Sequence, residues 1–325
     1  MKKLIILWLL ISTCTVSNGQ TIHGKILDKK TKGEVPFASI YFNGTFVGTT
    51  SDANGKFELA IAQNISMPLT ISAIGYFSAS IANFYTTDSI KVYLEPKVYE
   101  LKGAEVNAKS LEKQRRRNLA LFKDEFLGTT DNAQQCVIIN ERDITFNYGS
   151  DDDTLRAYAL KPILIANMAL GYKVTYYLDK FEYYRRKGAT FFSGNIIFLE
   201  DVTNDQTKLL CYEKRKITYL GSRMHFFRML WADNLKHSGF EITRATYENL
   251  KYKDIVIQDD NGNKFLKYPE NLRVAYTINT SFVYFLKKNV YFDKVGYFDP
   301  SGINWVGYMA QQRVADWLPY EYSVE

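Results

Sequence analysis

Between Thr21 and Pro96 apolar residues recur at every second position, and this alternation constrains the fold more than any other feature of the chain. Ile22, Gly24 and Ile26 share one face. Ala38, Ile40 and Phe42 repeat the pattern, followed by Phe57, Leu59 and Ile61 and by Ile90, Val92 and Leu94. A period of two puts alternate side chains on opposite faces of an extended backbone, so these segments read as half-buried strands. Asn43-Gly44 and Asn54-Gly55 supply residues that tolerate positive φ, as tight hairpins require. Asp52 and Gly75 complete the set of turn positions. About seven short strands in about 75 residues predict a small antiparallel β-sandwich.

The same stretch carries a resemblance. Pro36-Phe37-Ala38-Ser39-Ile40-Tyr41, Gly48 to Phe57 and Ile71-Ser72-Ala73-Ile74-Gly75-Tyr76 occur in that order, with Leu94-Glu95 and Leu101 to Val106 behind them. Together they resemble the carboxypeptidase-like regulatory domain, a transthyretin-like sandwich. The resemblance covers about a quarter of the chain and implies an accessory module with no peptidase activity of its own. That domain often precedes the plug of outer-membrane receptors. No long β-barrel sequence follows here, so receptor function does not carry over. Asp52 and Asn54 supply half of a calcium loop's oxygen ligands, and a hairpin turn accounts for them fully; Asp259-Asp260-Asn261-Gly262 reads the same way.

Residues 1–19 read as a secretory signal: Lys2 and Lys3, an apolar run from Leu4 to Ile11, and small residues Ser17 and Gly19 before Gln20. The run is shorter than the roughly 20 residues of a membrane-spanning helix. The alternatives are a buried N-terminal helix and a lipid anchor on Cys14, where Thr13 fits the anchor pattern poorly. Removal of the signal takes two lysines and lowers the formal charge from +6 to +4. That mild excess and export both argue against a nucleic-acid partner. Cys136 and Cys211 remain, and free thiols are expected over a disulfide between them.

After Val106 the texture changes. Ser110 is placed to cap a helix over Leu111–Leu127, ended by Gly128, with Leu119, Phe122 and Phe126 as its packing stripe. Lys113, Arg115, Arg116 and Arg117 crowd its first half and read as a solvated face, with an anionic partner as the alternative. The pattern predicts a short helix from Lys161-Pro162 through Leu170, strands over Tyr172–Tyr184 and Ala189–Leu199, and a helix over Thr207–Leu220. A further helix capped by Ser222 carries Phe227, Leu230, Trp231 and Leu235 and runs to Gly239, with strands dominating from Phe240 to Phe292. This order predicts an α+β domain. Motifs such as Glu125-Phe126-Leu127-Gly128, Gly221-Ser222-Arg223 and Arg313 to Pro319 resemble the uncharacterised region that accompanies such regulatory domains in exported bacterial proteins, with no activity implied. Trp305, Tyr308, Val314, Trp317 and Leu318 mark the C-terminal segment as structural, with Arg313 and Asp316 spaced to pair on a helical turn.

The chemistry-bearing residues are sparse. His23, His225 and His237 head no metallopeptidase spacing, and His225 and His237 fall on one predicted helix, too far apart to share a metal. No nucleophile elbow and no phosphate loop occurs. Glu200-Asp201 and Asp124-Glu125 are adjacent pairs that point to different faces, whereas glycoside hydrolysis needs two converging carboxyls. Tyr172, Tyr176, Tyr177, Tyr183 and Tyr184 form a dense row: a candidate aromatic surface for sugars, though aromatics also alternate in strands for packing. The organisation expected is a signal at 1–19, a sandwich at 20–97, a linker at 98–110 and an α+β domain at 111–325. The function expected is a non-catalytic cell-envelope protein acting through protein contacts, without cofactor or metal. Glycan binding is the alternative, and a glycosidase with a fold-assembled carboxylate pair is third.

Overall fold

The computed structural model describes residues 20–61, 67–82, 84, 89–98, 108–147 and 153–324. The expected signal and Cys14, Leu101 to Val106, most of the linker and Asp151-Asp152 lie outside the described residues.

The alternating segments form β1 (Gln20–Asp28), β2 (Ser39–Phe42), β3 (Gly48–Thr50), β4 (Lys56–Ile61), β5 (Leu69–Ser72), β6 (Ala79–Ile81) and β7 (Ile90–Leu94). They make two sheets, ordered β4-β1-β7 and β3-β2-β5-β6, whose inner faces meet in a core of Ile22, Ile26, Ile40, Phe42, Leu69, Ile71 and Leu94. The N-terminal region is therefore a β-sandwich. One pairing departs from the antiparallel expectation: β1 and β7 run parallel, with Gly24 opposite Ile90. The two strands lie at opposite ends of the module, so no hairpin ties their directions. Asp52 closes its turn by accepting from Asn54 N–H and Lys56 N–H, both at 2.8 Å.

The rest is a mixed helix and strand region. It begins with α1 (Ala108–Phe126), α2 (Asp131–Gln134), β8 (Cys136–Ile138), β9 (Ile144–Phe146), β10 (Thr154–Ala159), β11 (Ile163–Asn167), β12 (Tyr172–Tyr184) and β13 (Ala189–Glu200). These strands form one sheet, β8-β11-β12-β10-β9, with β13 paired along β12. Next come α3 (Asp205–Tyr219) and α4 (Arg223–Trp231). They are followed by β14 (Phe240–Arg244), α5 (Tyr252–Ile255), β15 (Val256–Gln258), β16 (Lys264–Leu266), β17 (Leu272–Tyr276), β18 (Asn279–Phe285), β19 (Val290–Phe292), β20 (Ile303–Gly307) and α6 (Tyr308–Gln311). The later strands build two further sheets, β14-β17-β18-β20 and β15-β16-β19.

This region holds two hydrophobic clusters. In one, Phe122 and Phe126 of α1 pack on Tyr176 and Phe181 of β12, and Val314, Ala315 and Leu318 close it from the C-terminal end. In the other, Phe226, Phe227 and Leu230 of α4 pack on Val274, Val283, Phe292 and Trp305.

Three expectations are corrected. The helix expected between Lys161 and Leu170 is the strand β11: Ile163 faces Tyr176 and Ile165 faces Val174 of β12. Ile163, Ile165 and Asn167 are buried while Leu164 is exposed, so pairing with a long neighbour overrides the local helix preference of Ala166, Met168 and Leu170. The helix that Ser222 caps stops at Trp231, because Asp233 adopts a left-handed φ of 51°. His237 consequently lies on a separate short turn, Lys236–Ser238, and not on the helix of His225. Finally, the turn at Val314–Asp316 forms, yet Arg313 and Asp316 do not pair. Arg313 reaches Glu125 at 3.7 Å, and Asp316 accepts from Thr130 Oγ1 and Asn132 Nδ2 at 2.9 and 2.8 Å. Partners from other segments displace the local one.

α1 also starts earlier than Ser110, at Ala108. Arg115 turns inward from its basic face, donating to Glu141 O and Ile144 O at 2.8 Å, while Arg116 and Arg117 stay exposed.

Candidate functional site

The expected aromatic row does not form a surface. Tyr172, Tyr176 and Tyr177 are buried, because alternation along β12 turns Tyr172 and Tyr176 into the core beneath α1. Tyr177 points to the other face, where its hydroxyl meets Ser39 Oγ at 2.9 Å and its ring stacks on Tyr41 of the sandwich. Tyr183 is half-buried against the core, and Tyr184 donates to Glu182 at 2.7 Å. The acidic pairs are likewise engaged: Glu200 with Arg215 and Asp201 with Lys173, each at 2.8 Å, and Glu125 with Thr190 and Arg313. Cys136 and Cys211 are free thiols. Among the described residues no group of three His, Cys, Asp or Glu side chains could hold a metal ion.

What the fold assembles instead is a pocket at the meeting point of all three clusters. The β2–β3 hairpin loop of the sandwich reaches over β13. Gly44 N–H donates to Ile196 O at 2.9 Å, Asn43 Oδ1 accepts from Ile196 N–H at 2.7 Å, and Thr45 bridges to Ile197. On its other side the loop holds the C-terminal segment, with Tyr320 N–H donating to Gly44 O at 2.8 Å. Gly44 is doubly required here. Its φ is +79°, and a Cβ would stand 2.8 Å from the Tyr320 ring.

Under this clasp lies a cavity of about 380 Å³. The sandwich contributes Asn43 and Gly44. β12 and β13 contribute Tyr176, Phe191 to Gly194, Ile196 and Phe198, and the start of α4 contributes Ser222 to Met224. The loop after β19 adds Gly296 to Phe298, Pro300 and Ser301, and the C-terminal segment adds Gln312, Asp316 to Leu318 and Tyr320. Eight of the lining residues are aromatic. Phe191, Pro300 and Ser301 are exposed and mark the solvent side.

Most polar side chains of the lining are already committed. Ser222 Oγ caps α4 by accepting from His225 N–H, Ser301 bonds Asp299 and Lys287, and Asp316 is held by Thr130 and Asn132. Burial raises the Asp316 carboxyl above its ordinary range, and these hydrogen bonds partly oppose the shift. Arg223 stands apart. It donates to Gln312 O at 2.9 Å and lies over the Trp317 ring, and desolvation lowers its guanidinium to about 10. Behind the pocket, His225 accepts from Gly221 N–H at 3.1 Å and is walled by Tyr219, Phe240 and Tyr276. Burial, with Arg228 nearby, lowers it to about 4, so it is neutral at pH 7. Asn43-Gly44 is legible in the sequence only as a turn, and Arg223 only as part of a Gly-Ser-Arg motif. Neither spacing signals a shared cavity.

Residues 22–107 match the family of the CarboxypepD_reg-like domain. No curated protein matches the chain. Among solved structures, a 9R-lipoxygenase from Cyanothece PCC8801 aligns at 9% identity and TM-score 0.20, over 72% of this chain and 49% of the lipoxygenase. The chain thus spans about half the length of that enzyme. A protein of unknown function from Bacteroides fragilis NCTC 9343, described as membrane-associated, aligns at 10% identity and TM-score 0.19, over 89% of this chain and 94% of its own. No helix among the described residues is long and apolar enough to cross a membrane. The family match and the two packed sheets together identify the N-terminal module as a carboxypeptidase-like regulatory domain.

Proposed function

We propose that this chain is a non-catalytic protein of the cell envelope, exported through residues 1–19, whose sandwich at 20–97 and second unit at 111–325 act together in binding. The observation that carries this reading is the pocket's lining. It is rich in rings, it holds a single carboxylate, and that carboxylate is bound by Thr130 and Asn132. Acid–base hydrolysis of glycosides needs two carboxyls across the substrate, and nucleophilic hydrolysis needs a base within hydrogen-bond reach of the nucleophile. The regulatory-domain family is also non-catalytic, which supports the same reading for the first module.

The test is a pair of measurements on the full mature chain. Peptidase and glycosidase substrates should show no turnover, with or without zinc, and crosslinking in cells should capture an envelope partner. Glycan cleavage lost in Asp316→Asn with folding intact would overturn the reading. Glycan binding remains the second reading, favoured by the ring-lined cavity and by the outward Phe191 at its mouth. Saturable oligosaccharide binding that Phe191→Ala weakens, without turnover, would favour it.

A further inference from the structure

One side chain of the pocket points to its ligand. Arg223 makes no ion pair within 4 Å among the described residues, whereas Arg313 reaches Glu125 and Arg228, also without a carboxylate, gives its donors to three backbone carbonyls. A guanidinium carries five N–H donors, and among the described residues Arg223 has one hydrogen bond, to Gln312 O. Its guanidinium carbon lies 5.8 Å from the centroid of the Trp317 ring, a contact that does not neutralise it. The Asp316 carboxylate of the same lining favours its charge from beyond ion-pair distance, but Thr130 and Asn132 already bind that carboxylate, so the remaining guanidinium donors are left for an anion entering the cavity.

The remainder of the wall suits a different chemistry. Phe192, Phe198, Tyr297, Phe298 and Trp317 present rings, and the hydroxyls of Ser222 and Ser301 are engaged by the protein. An apolar chain or ring would lose nothing. At about 380 Å³ the cavity falls within the roughly 300–1,000 Å³ of small-molecule sites.

Resting on the binding reading above, we propose that this pocket takes an amphipathic anion: an apolar body against Phe192, Phe298 and Trp317, ended by one carboxylate or phosphate that accepts from Arg223. The sandwich takes part, because the Asn43-Gly44 loop closes the wall opposite α4. This gives the first module a role in ligand retention.

Titration calorimetry of the full mature chain with dodecanoate, dodecyl phosphate and dodecan-1-ol, all below their micellar concentrations, tests this. At least one anion should bind one-to-one and at least 10-fold more tightly than the alcohol, and the tighter of the two tells a carboxylate from a phosphate head. Arg223→Met should weaken the anion about 10- to 100-fold, the range of a charge-assisted hydrogen bond, and leave the alcohol unchanged. Arg223→Lys should keep most of the preference, and Ser193→Phe, which adds a ring to the wall contributed by β13, should abolish binding of both. Equal affinities for alcohol and anion would overturn the anion assignment while leaving a binding pocket. No saturable binding by any probe would overturn the pocket as a site. Chemical conversion of a bound probe would overturn the non-catalytic reading alone.

Discussion

The sandwich and the region that follows bury comparable kinds of side chain by opposite means. In the sandwich, each strand brings its own alternating row to the core: β4 buries Phe57, Leu59 and Ile61, and β7 buries Ile90, Val92 and Leu94. All come from within residues 22–94. The cluster around Phe122 and Phe126 is assembled from α1, the β8–β13 sheet and Val314 to Tyr322, segments nearly 200 residues apart in the chain. A core built from neighbours is set by local pattern. A core built from distant pieces fails when any one piece is lost.

Removal of the C-terminal segment is the strongest way to break this contrast. Trp305, Met309, Val314, Ala315, Leu318 and Tyr322 are all buried in the two later clusters. Large apolar side chains contribute about 2 kcal/mol each, so their loss is on the order of the whole stability of a domain. Truncation after Gly302 should leave a protease-resistant fragment close to residues 20–97, with everything beyond α1 degraded, as read by mass spectrometry. A truncated chain that still melts cooperatively by Trp231 fluorescence would contradict the long-range account.

A smaller and more selective effect comes from His225. Its folded value of about 4 lies below the ordinary 6.5, so the unfolded chain takes up a proton in that interval before the folded one does. Stability is therefore full above about pH 6.5 and is lost as pH falls towards 4. That difference, reduced by partial solvent screening, corresponds to about 2–3 kcal/mol. Beyond residue 19 the tryptophans are Trp231, Trp305 and Trp317, all outside the sandwich, so their fluorescence follows the second region alone. Asn in place of His225 keeps an acceptor for Gly221 N–H and should flatten the slope of melting temperature between pH 6.5 and 4. An unchanged slope in His225→Asn would assign the acid sensitivity to other groups.

The smallest change probes the sandwich side. Gly55 has φ +70°, and a Cβ there would stand 2.6 Å from Ile26 O. Gly55→Ala should cost about 1–3 kcal/mol, seen as faster amide exchange in β1 and β4, with the tryptophan transition unmoved. Equal shifts in both would show that the contacts between regions fuse them into one cooperative unit. The buried Lys97, which donates to Leu178 O at 2.7 Å and lies 3.5 Å from Asp179, and the Tyr41–Tyr177 stack are among those contacts, beside the Asn43-Gly44 clasp on Ile196.

What the sequence determined by itself was whatever repeats over a few residues. The period of two located four of the sandwich strands, Asn-Gly and Asp-x-Asn-Gly located its turns, and the helices expected over 111–127 and 207–220 followed from spacing, although Ser110 lies inside the first and does not cap it. Even β12 and β13 were legible as strands from their aromatic alternation. Their role was not: which face of Tyr172, Tyr176 and Tyr177 meets solvent depends on α1 above one side of the sheet and the sandwich below the other. The strand at Ile163–Asn167 needed β12 as its partner, and Arg313 and Asp316 took Glu125, Thr130 and Asn132 over each other. The pocket belongs wholly to this second class. Asn43, Ser193, Arg223 and Trp317 are separated by tens of residues or more, and only packing of the three clusters brings them to one cavity. Local propensity acts through bonds between near neighbours in sequence, whereas burial and charge pairing act through distance in space, and one chain read in order carries no record of that distance.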